Sequence, residues 1–449
     1  MRIIATVPAF SLSVAILGAT GGLDLYTLGM PVTGNPTDSS VQNWNWHIQN
    51  TAILQGYPRF PAKYFGPNSL PSTGEAHETV SLNLLAGLRL WSGAEVHVDG
   101  LMWQGFGVGN ALGAEGFPNG EAFRLGTRIP DAGIARLFIR QTIGFSGEQE
   151  NIKDGPLALE GQQDVSRLTL TLGRLSAKDI FDNNQYANDA RTQFMNWALM
   201  ANEAWDFPAD SLGYITGFAA ELNQPFWTLR YGFFQVPSIS NGMETDLHLA
   251  DAWGMVTELE HRHTLGRHPG AVRFLAFLNR AHMGSYQDAV DNLTRPADIV
   301  ATRCYRYKYG FGLNFEQEIT ENIGVFSRFG WSDGNTEGWS FADVDGTATS
   351  GVSFTGAFWH RPHDTVGLAG VLNGISDVHQ KFFAAGGTGI LAGDGDLNYG
   401  WEKVLEAYYN VTIWKGVESS LDYQFISNPA FNQDRGPVSV FSARVHWAF

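Results

Sequence analysis

Apolar and polar side chains alternate along most of this chain, in runs of about ten residues separated by polar breaks. The clearest run is Tyr305-Arg306-Tyr307-Lys308-Tyr309-Gly310-Phe311-Gly312-Leu313-Asn314-Phe315-Glu316. It is aromatic or aliphatic at odd positions and basic, small or polar at nearly every even one. Successive side chains of a strand point to opposite faces, so such a strand has one apolar face and one wet face. Val80, Leu82, Leu84, Ala86, Leu88 and Leu90 repeat the pattern against Ser81, Asn83 and Arg89, as do Trp227, Leu229, Tyr231 and Phe233 against Thr228 and Arg230. Leu405, Ala407, Tyr409, Val411 and Ile413 alternate with Glu406 and Asn410. Phe441, Ala443, Val445, Trp447 and Phe449 alternate with Ser442, Arg444 and His446. The pattern predicts about sixteen strands. They fall at 44–54, 78–90, 94–104, 133–143, 165–174, 211–222, 226–236, 252–264, 270–282, 303–318, 322–333, 351–358, 364–373, 401–413, 416–427 and 438–449.

A soluble sandwich would bury the apolar face, but a long row of Tyr and Phe interleaved with Gly suits a face turned to lipid. The breaks are of two kinds. Trp91-Ser92-Gly93, Asn223-Gln224-Pro225, Thr320-Glu321 and Lys415-Gly416 are tight, whereas 55–77, 105–132, 175–210, 283–302 and 374–400 are long. Outer-membrane barrels have short periplasmic turns and longer external loops. The alternation therefore predicts an all-β, antiparallel transmembrane β-barrel whose chain starts on the periplasmic side. The 144–164 break is the exception, a long turn on that side. No stretch supplies the ~18 apolar residues of a spanning helix, and a closed barrel is the other structure that pairs every backbone group in lipid.

Composition agrees. Charged residues make up 16% and aromatic residues 13% of the 449, with 52 Gly, which suits a lipid-facing wall, an aqueous lumen and aromatic girdles. A net charge of -16 argues against nucleic acid as a partner, since a phosphate-binding surface needs the opposite sign. Cys304 is the single cysteine, so no intrachain disulfide or multi-cysteine metal site can form. Arg2 and the mostly apolar Ile3 to Ser13 read as an export signal, with cleavage at Ser13-Val14-Ala15 or Gly18-Ala19-Thr20. Residues 1–20 are thus expected to be a signal peptide, 21–43 a short leader and 44–449 a single barrel. The leader is too short for the plug domain of an energy-coupled transporter.

The break 175–210 holds Ile180-Phe181-Asp182-Asn183-Asn184-Gln185-Tyr186-Ala187-Asn188-Asp189-Ala190-Arg191-Thr192-Gln193-Phe194-Met195-Asn196-Trp197. It follows Ser166-Arg167-Leu168-Thr169-Leu170-Thr171-Leu172-Gly173-Arg174. Later come Ala385-Gly386-Gly387, Gly393-Asp394-Gly395, Leu397-Asn398-Tyr399-Gly400, Glu406-Ala407-Tyr408-Tyr409 and Asn428-Pro429-Ala430-Phe431-Asn432-Gln433-Asp434-Arg435-Gly436-Pro437-Val438. From about Trp44 to Phe449 these segments resemble the carbohydrate-selective porin (OprB) family, with departures at the N-terminus and in 334–350. The resemblance implies a sixteen-stranded barrel of the bacterial outer membrane whose third external loop, 175–210, bends into the pore. It also implies passive uptake of glucose-like sugars and a homotrimeric assembly.

Sugars carry hydroxyls around a ring with apolar C–H faces, so a sugar path wants charged or amide groups and aromatic faces. In the loop, Asp189 and Arg191 offer opposite charges beside Asn188, with Tyr186, Phe194 and Trp197 as ring platforms. On the strands, alternation turns Glu95, Asp99, Arg136, Arg140, Arg167, Arg230, Glu258, Arg306, Lys308, Arg328, Glu406, Asp422 and Arg444 inward. Of these, Arg136, Arg140, Arg167, Arg306, Glu406 and Asp422 are expected to line the constriction with the loop. Both signs occur, so the lumen is no single-ion filter. A porin for other small organic solutes or anions is the second reading. Phe449, after alternating aromatics, reads as the contact for the barrel-assembly machinery, with outer-membrane lipid around the wall.

Other motifs weigh little. Gly330-Trp331-Ser332-Asp333-Gly334 has the Gly-x-Ser-x-Gly form of serine hydrolases, but a strand here runs into a loop and not into a helix. No nucleophile–base pair marks a barrel enzyme, and no cofactor is expected. His261 and His263 share a face without a third ligand. Asp394-Gly395-Asp396-Leu397-Asn398 opens like a calcium loop, but its turn glycine is Gly400 and position twelve is Leu405.

Overall fold

A strand in lipid cannot leave an edge unpaired, because no water is there to satisfy it. This chain meets the demand by closing on itself. The structure is a computed structural model and describes residues 41–122, 126–292, 294–341 and 343–449. The expected signal peptide and all but the end of the leader lie outside the described residues. The strands are β1 (Trp44–Tyr57), β2 (Glu75–Trp91), β3 (Ala94–Gly105), β4 (Thr127–Gly144), β5 (Gln149–Ile152), β6 (Gly161–Asp164), β7 (Arg167–Leu175), β8 (Ile215–Asn223) and β9 (Trp227–Phe234). Then follow β10 (Trp253–Leu265), β11 (His268–Ala281), β12 (Arg306–Thr320), β13 (Ile323–Ser332), β14 (Gly346–Gly356), β15 (Arg361–Gly374), β16 (Glu402–Trp414), β17 (Val417–Ser427) and β18 (Val438–Ala448). All but β5 and β6 form one closed antiparallel barrel, each strand paired with its neighbours in the chain. β1 and β18 complete the ring from Gln49 opposite Ala448 to Gly56 opposite Phe441.

The side-chain period of two sorts the wall as expected. On β12, Tyr307 and Tyr309 are 52% and 51% exposed on the outer face, while Lys308 and Asn314 are 2% and 3% exposed on the inner one. Each of the sixteen predicted strands has a barrel strand at its place, with two starts shifted by more than four residues. β4 begins at Thr127 and not at 133, because Thr127 to Ile134 are exposed on both faces and show no alternation. β14 begins at Gly346 and not at 351, where Gly346-Thr347-Ala348-Thr349 carry no apolar stripe. The tight turns follow from backbone chemistry: Gly93 and Gly416 sit at φ +75° and +76°, which glycine adopts without a Cβ clash.

Among the described residues, three short α-helices, α1 (Trp197–Met200), α2 (Tyr286–Asp291) and α3 (Asp377–Ala384), all lie in the long connections at the external end. The turn 145–166 at the other end is long, as expected, and holds the separate β5–β6 hairpin.

Candidate pore constriction

The third external connection leaves β7, crosses the lumen and is fastened to the opposite wall before returning to β8. Glu258 on β10 accepts the Asp182 backbone N–H at 2.7 Å, and Glu316 on β12 accepts that of Gln185 at 2.6 Å. Glu406 on β16 accepts from the Met195 and Asn196 backbones at 2.6 and 2.9 Å, while Arg444 on β18 donates to the Gln193 carbonyl at 2.9 Å. Arg328 on β13 is wholly buried, donating to Asp182 Oδ1 at 3.1 Å and to the Leu199 and Ala187 carbonyls at 2.7 Å each. Burial would raise the Asp182 carboxyl, but Arg328 and Lys178 hold it down at about 2. Glycines on the inner wall make room for the loop. A Cβ on Gly330 would meet Asn202 at 2.0 Å, and one on Gly324 would meet the Tyr186 ring at 2.0 Å.

The loop is pressed against β10 to β18, and cavities lie beside β2 to β9. An external cavity of about 290 Å³ lies between Arg136 of β4, loop residues Lys178, Asp179, Asn188, Asp189 and Arg191, and residues of neighbouring connections. Among the described residues, every cation on its wall has a carboxylate. Arg136 bonds Asp99 at 2.6 Å and Asp179 at 2.7 Å, Arg191 pairs with Glu121 at 3.1 Å, and Lys178 with Asp182 at 3.3 Å. The Arg136 guanidinium also lies 4.9 Å from the centre of the Tyr214 ring. Burial would lower the Arg191 guanidinium, but Glu121 and Asp189 raise it above its ordinary value, so it stays charged. An aromatic group faces these charges: Phe341 is near-parallel to Trp197 and Phe207 at 4.8 and 4.7 Å. Phe341 belongs to the connection between β13 and β14. Trp339 and Ser340 of that connection donate their backbone N–H groups to Asp206 at 2.9 and 2.7 Å, which fixes the ring in place.

The expected constriction residues fall into several groups. Asn188, Asp189, Arg191, Trp197 and Arg136 line the external cavity. Asp189 turns back to accept the Arg191 backbone N–H at 3.0 Å, and no ion pair joins these two side chains. Phe194 is fully buried and meets Tyr408 edge-on at 4.8 Å, packing the loop to the wall. Tyr186 packs beside it and borders a separate cavity with Glu316 and Arg273. Glu406 is buried as a loop anchor, and Asp422 is buried next to it, accepting from Gln424 at 3.1 Å. Arg140 and Arg167 lie nearer the periplasm, paired with Glu95 at 3.0 Å and Glu150 at 2.6 Å. Arg306 sits at the external rim with Asp288 of α2 at 2.7 Å. Lys308 faces inward but is covered, donating to the Thr336 carbonyl at 3.1 Å.

Glu121, Asp179, Lys178, Tyr214, Phe207 and Phe341 also build the cavity; all but Tyr214, which falls in the predicted strand 211–222, come from connections with no periodicity. Ser332 of the Gly-x-Ser-x-Gly segment ends β13. His261 and His263 stack at 6.1 Å, and His263 bonds Gln317 at 2.9 Å. Asp394 is engaged by Tyr64 at 2.8 Å, tying external loops together.

A sequence profile of the carbohydrate-selective porin, OprB family, matches residues 68–449. No curated protein matches the chain in sequence. Among solved structures, OprB of Pseudomonas putida at high pH is similar at 16% identity, over 91% of this chain and 94% of that one, with a TM-score of 0.70. The low-pH structure of Pseudomonas putida OprB aligns at 12% identity over 91% and 93%, with a TM-score of 0.49. The outer membrane channel DcaP of Acinetobacter baumannii aligns at 8% identity over 92% and 99%, also at 0.49. The high-pH likeness carries the fold, and the profile match over most of the barrel carries the lineage. This chain belongs to the carbohydrate-selective porin, OprB family, and is a sixteen-stranded porin of the bacterial outer membrane.

Proposed function

We propose that this porin passes small neutral sugars of glucose-like size by passive diffusion, with the loop anchored across the lumen as its filter. The observation that carries the reading is the balance of the external cavity. Among the described residues, its wall has three cations (Arg136, Lys178, Arg191) and three carboxylates (Glu121, Asp179, Asp189) opposite an aromatic group. An anion path would want cations in excess, whereas paired charges hydrogen-bond hydroxyls without setting up a field of one sign. Hydrogen bonds to charged groups contribute about 1.5–3 kcal/mol each, and an aromatic face adds contact with the C–H side of a sugar ring. A few such contacts favour a sugar yet release it, as conduction requires. This balance favours sugars over the second reading, a porin for small organic anions. Assembly as a homotrimer and recognition of Phe449 by the assembly machinery are further parts of the proposal.

The test is swelling of liposomes holding the purified porin, with glucose compared to disaccharides, amino acids and carboxylates of matched size. Glucose should enter fastest for its size. Replacing Asp189 and Arg191 by Ala should raise ion conductance and reduce the preference for glucose. Wild-type conductance and preference in that double variant would remove the loop from the filter, and faster entry of carboxylates would reverse the choice of solute.

A further inference from the structure

The periplasmic turn 145–166 is long where its neighbours are tight, and it folds inward. Asn45, buried on the inner face of β1, donates its amide to Asp154 Oδ1 at 2.8 Å and to the Gly155 and Ala158 carbonyls at 3.0 Å each. Arg140, on the inner face of β4, donates to the Leu157 carbonyl at 2.8 Å, and Arg167 of β7 pairs with Glu150 at 2.6 Å. β1 and β4 are separated in the ring by β2 and β3. The turn therefore reaches from the β4–β7 side past β2 and β3 to β1 at the periplasmic end, held at both ends by side chains of the lumen wall.

Between this strap and the wall lies a second cavity, about 740 Å³ in volume. It lies on the same side of the barrel as the external one. Arg136 borders the first and Arg140 the second, about 13 Å further along β4 at the usual rise of a strand. Its walls carry many hydrogen-bonding groups, among them Gln162 and Gln163 from the strap, Asn223, and the pairs Arg140–Glu95 at 3.0 Å and Arg230–Glu221 at 3.1 Å, beside the aliphatic Val41, Ile152 and Leu159. No aromatic ring is among the described residues that line it.

We propose that the turn 145–166 builds a second solute site at the periplasmic exit, one that holds neutral polyols by their hydroxyls alone. The inference rests on the sugar reading above and adds a chemical distinction to it. The external cavity offers ring faces and so favours pyranoses, whereas the exit site has none and accepts open-chain sugar alcohols as readily as rings.

The experiment is ion current through single wild-type porins in planar bilayers of known orientation, with glucose or sorbitol added to one side at a time. Two variants accompany it: Asn45→Ala, which unfastens the strap, and replacement of residues 148–163 by a short Gly-Ser turn. In the wild type both solutes should reduce the current from the periplasmic side, and glucose more than sorbitol from the external side. Both variants should raise ion conductance and weaken periplasmic block at least threefold, leaving external glucose block unchanged. Wild-type conductance and periplasmic block in Asn45→Ala would overturn the exit site even if the trimmed chain fails to fold. Absence of glucose block from either side of the wild type would instead overturn the sugar reading. Loss of the periplasmic block alone, in the wild type, would overturn only the exit site.

Discussion

Arg328 is the buried pin of the loop that fills the lumen, and its removal should free that loop without opening the barrel. Arg328→Met keeps the length of the side chain but leaves the Asp182 carboxylate without its guanidinium and the Leu199 and Ala187 carbonyls without a donor. Removing one member of a buried pair costs about 3–5 kcal/mol, because the remaining charge stays desolvated. Asn314, at 2.7 Å, and the Asn202 backbone, at 2.8 Å, still bond Asp182, which places the cost at the lower end of that range. The strand itself keeps its ladder, since the lost bonds are all to the loop. Single-channel recording should therefore show larger and noisier conductance with the heat-modifiable barrel still formed. Asp182→Asn in the same background should cost less than the sum of the two single changes, since each removes the other's partner. The Asp182 carboxyl lies at about 2 in the folded chain against an ordinary 3.8, so its contribution is present above the ordinary value. It is lost as pH falls from there through about 2, so any change in wild-type conductance between pH 7 and pH 5 should owe nothing to the titration of Asp182. Quiet wild-type conductance in Arg328→Met would refute the claim that this pin holds the loop.

Four further outcomes are expected. Tyr309→Arg, on the lipid face of β12, should destabilise by roughly 2–4 kcal/mol in reversible unfolding from lipid. Lys308→Gln next to it should not be silent, since it loosens the Thr336 carbonyl, and its effect should appear in external-loop proteolysis more than in unfolding. Phe341→Ala should lower the residence of glucose in the pore while raising ion conductance, and Phe341→Trp should restore residence; equal glucose block in all three would exclude the ring as a platform. Burial, with Asp343, Glu402 and Glu203 nearby, pushes the Glu115 carboxyl well above its ordinary 4.5. Its share of stability is full below 4.5 and is lost as pH rises towards the folded value, so Glu115→Gln should raise the melting temperature at pH 7 and leave it unchanged at pH 4.

How much of this could be read from the chain depends on the range of the signal. Strands of the wall were legible because alternation is a local property: Tyr309 and Lys308 declare opposite faces within one dipeptide. The start of β4 was not, since Thr127 to Ile134 have the same surroundings on both faces and nothing selects a period. Facing was legible where environment was not. Arg306, Lys308 and Arg328 all point inward as expected, yet one pairs with a rim helix, one is covered by a loop and one pins the constriction. Their partners come from other connections, in the case of Arg328 and Asp182 from 146 residues away. A barrel shortens such separations by closing, so a lumen side chain can meet any loop long enough to reach it. Loop length and anchor geometry then decide the contact, and neither leaves a periodic mark. One mark of the contact does lie in the sequence. Gly324 and Gly330 are glycines at wall positions where an alternating strand would otherwise place a side chain, and each stands where a Cβ would strike the loop. Glycine on the wet face of a barrel strand tells where a loop packs against the wall, and with the loop's own anchors it marks the side on which the pore stays open.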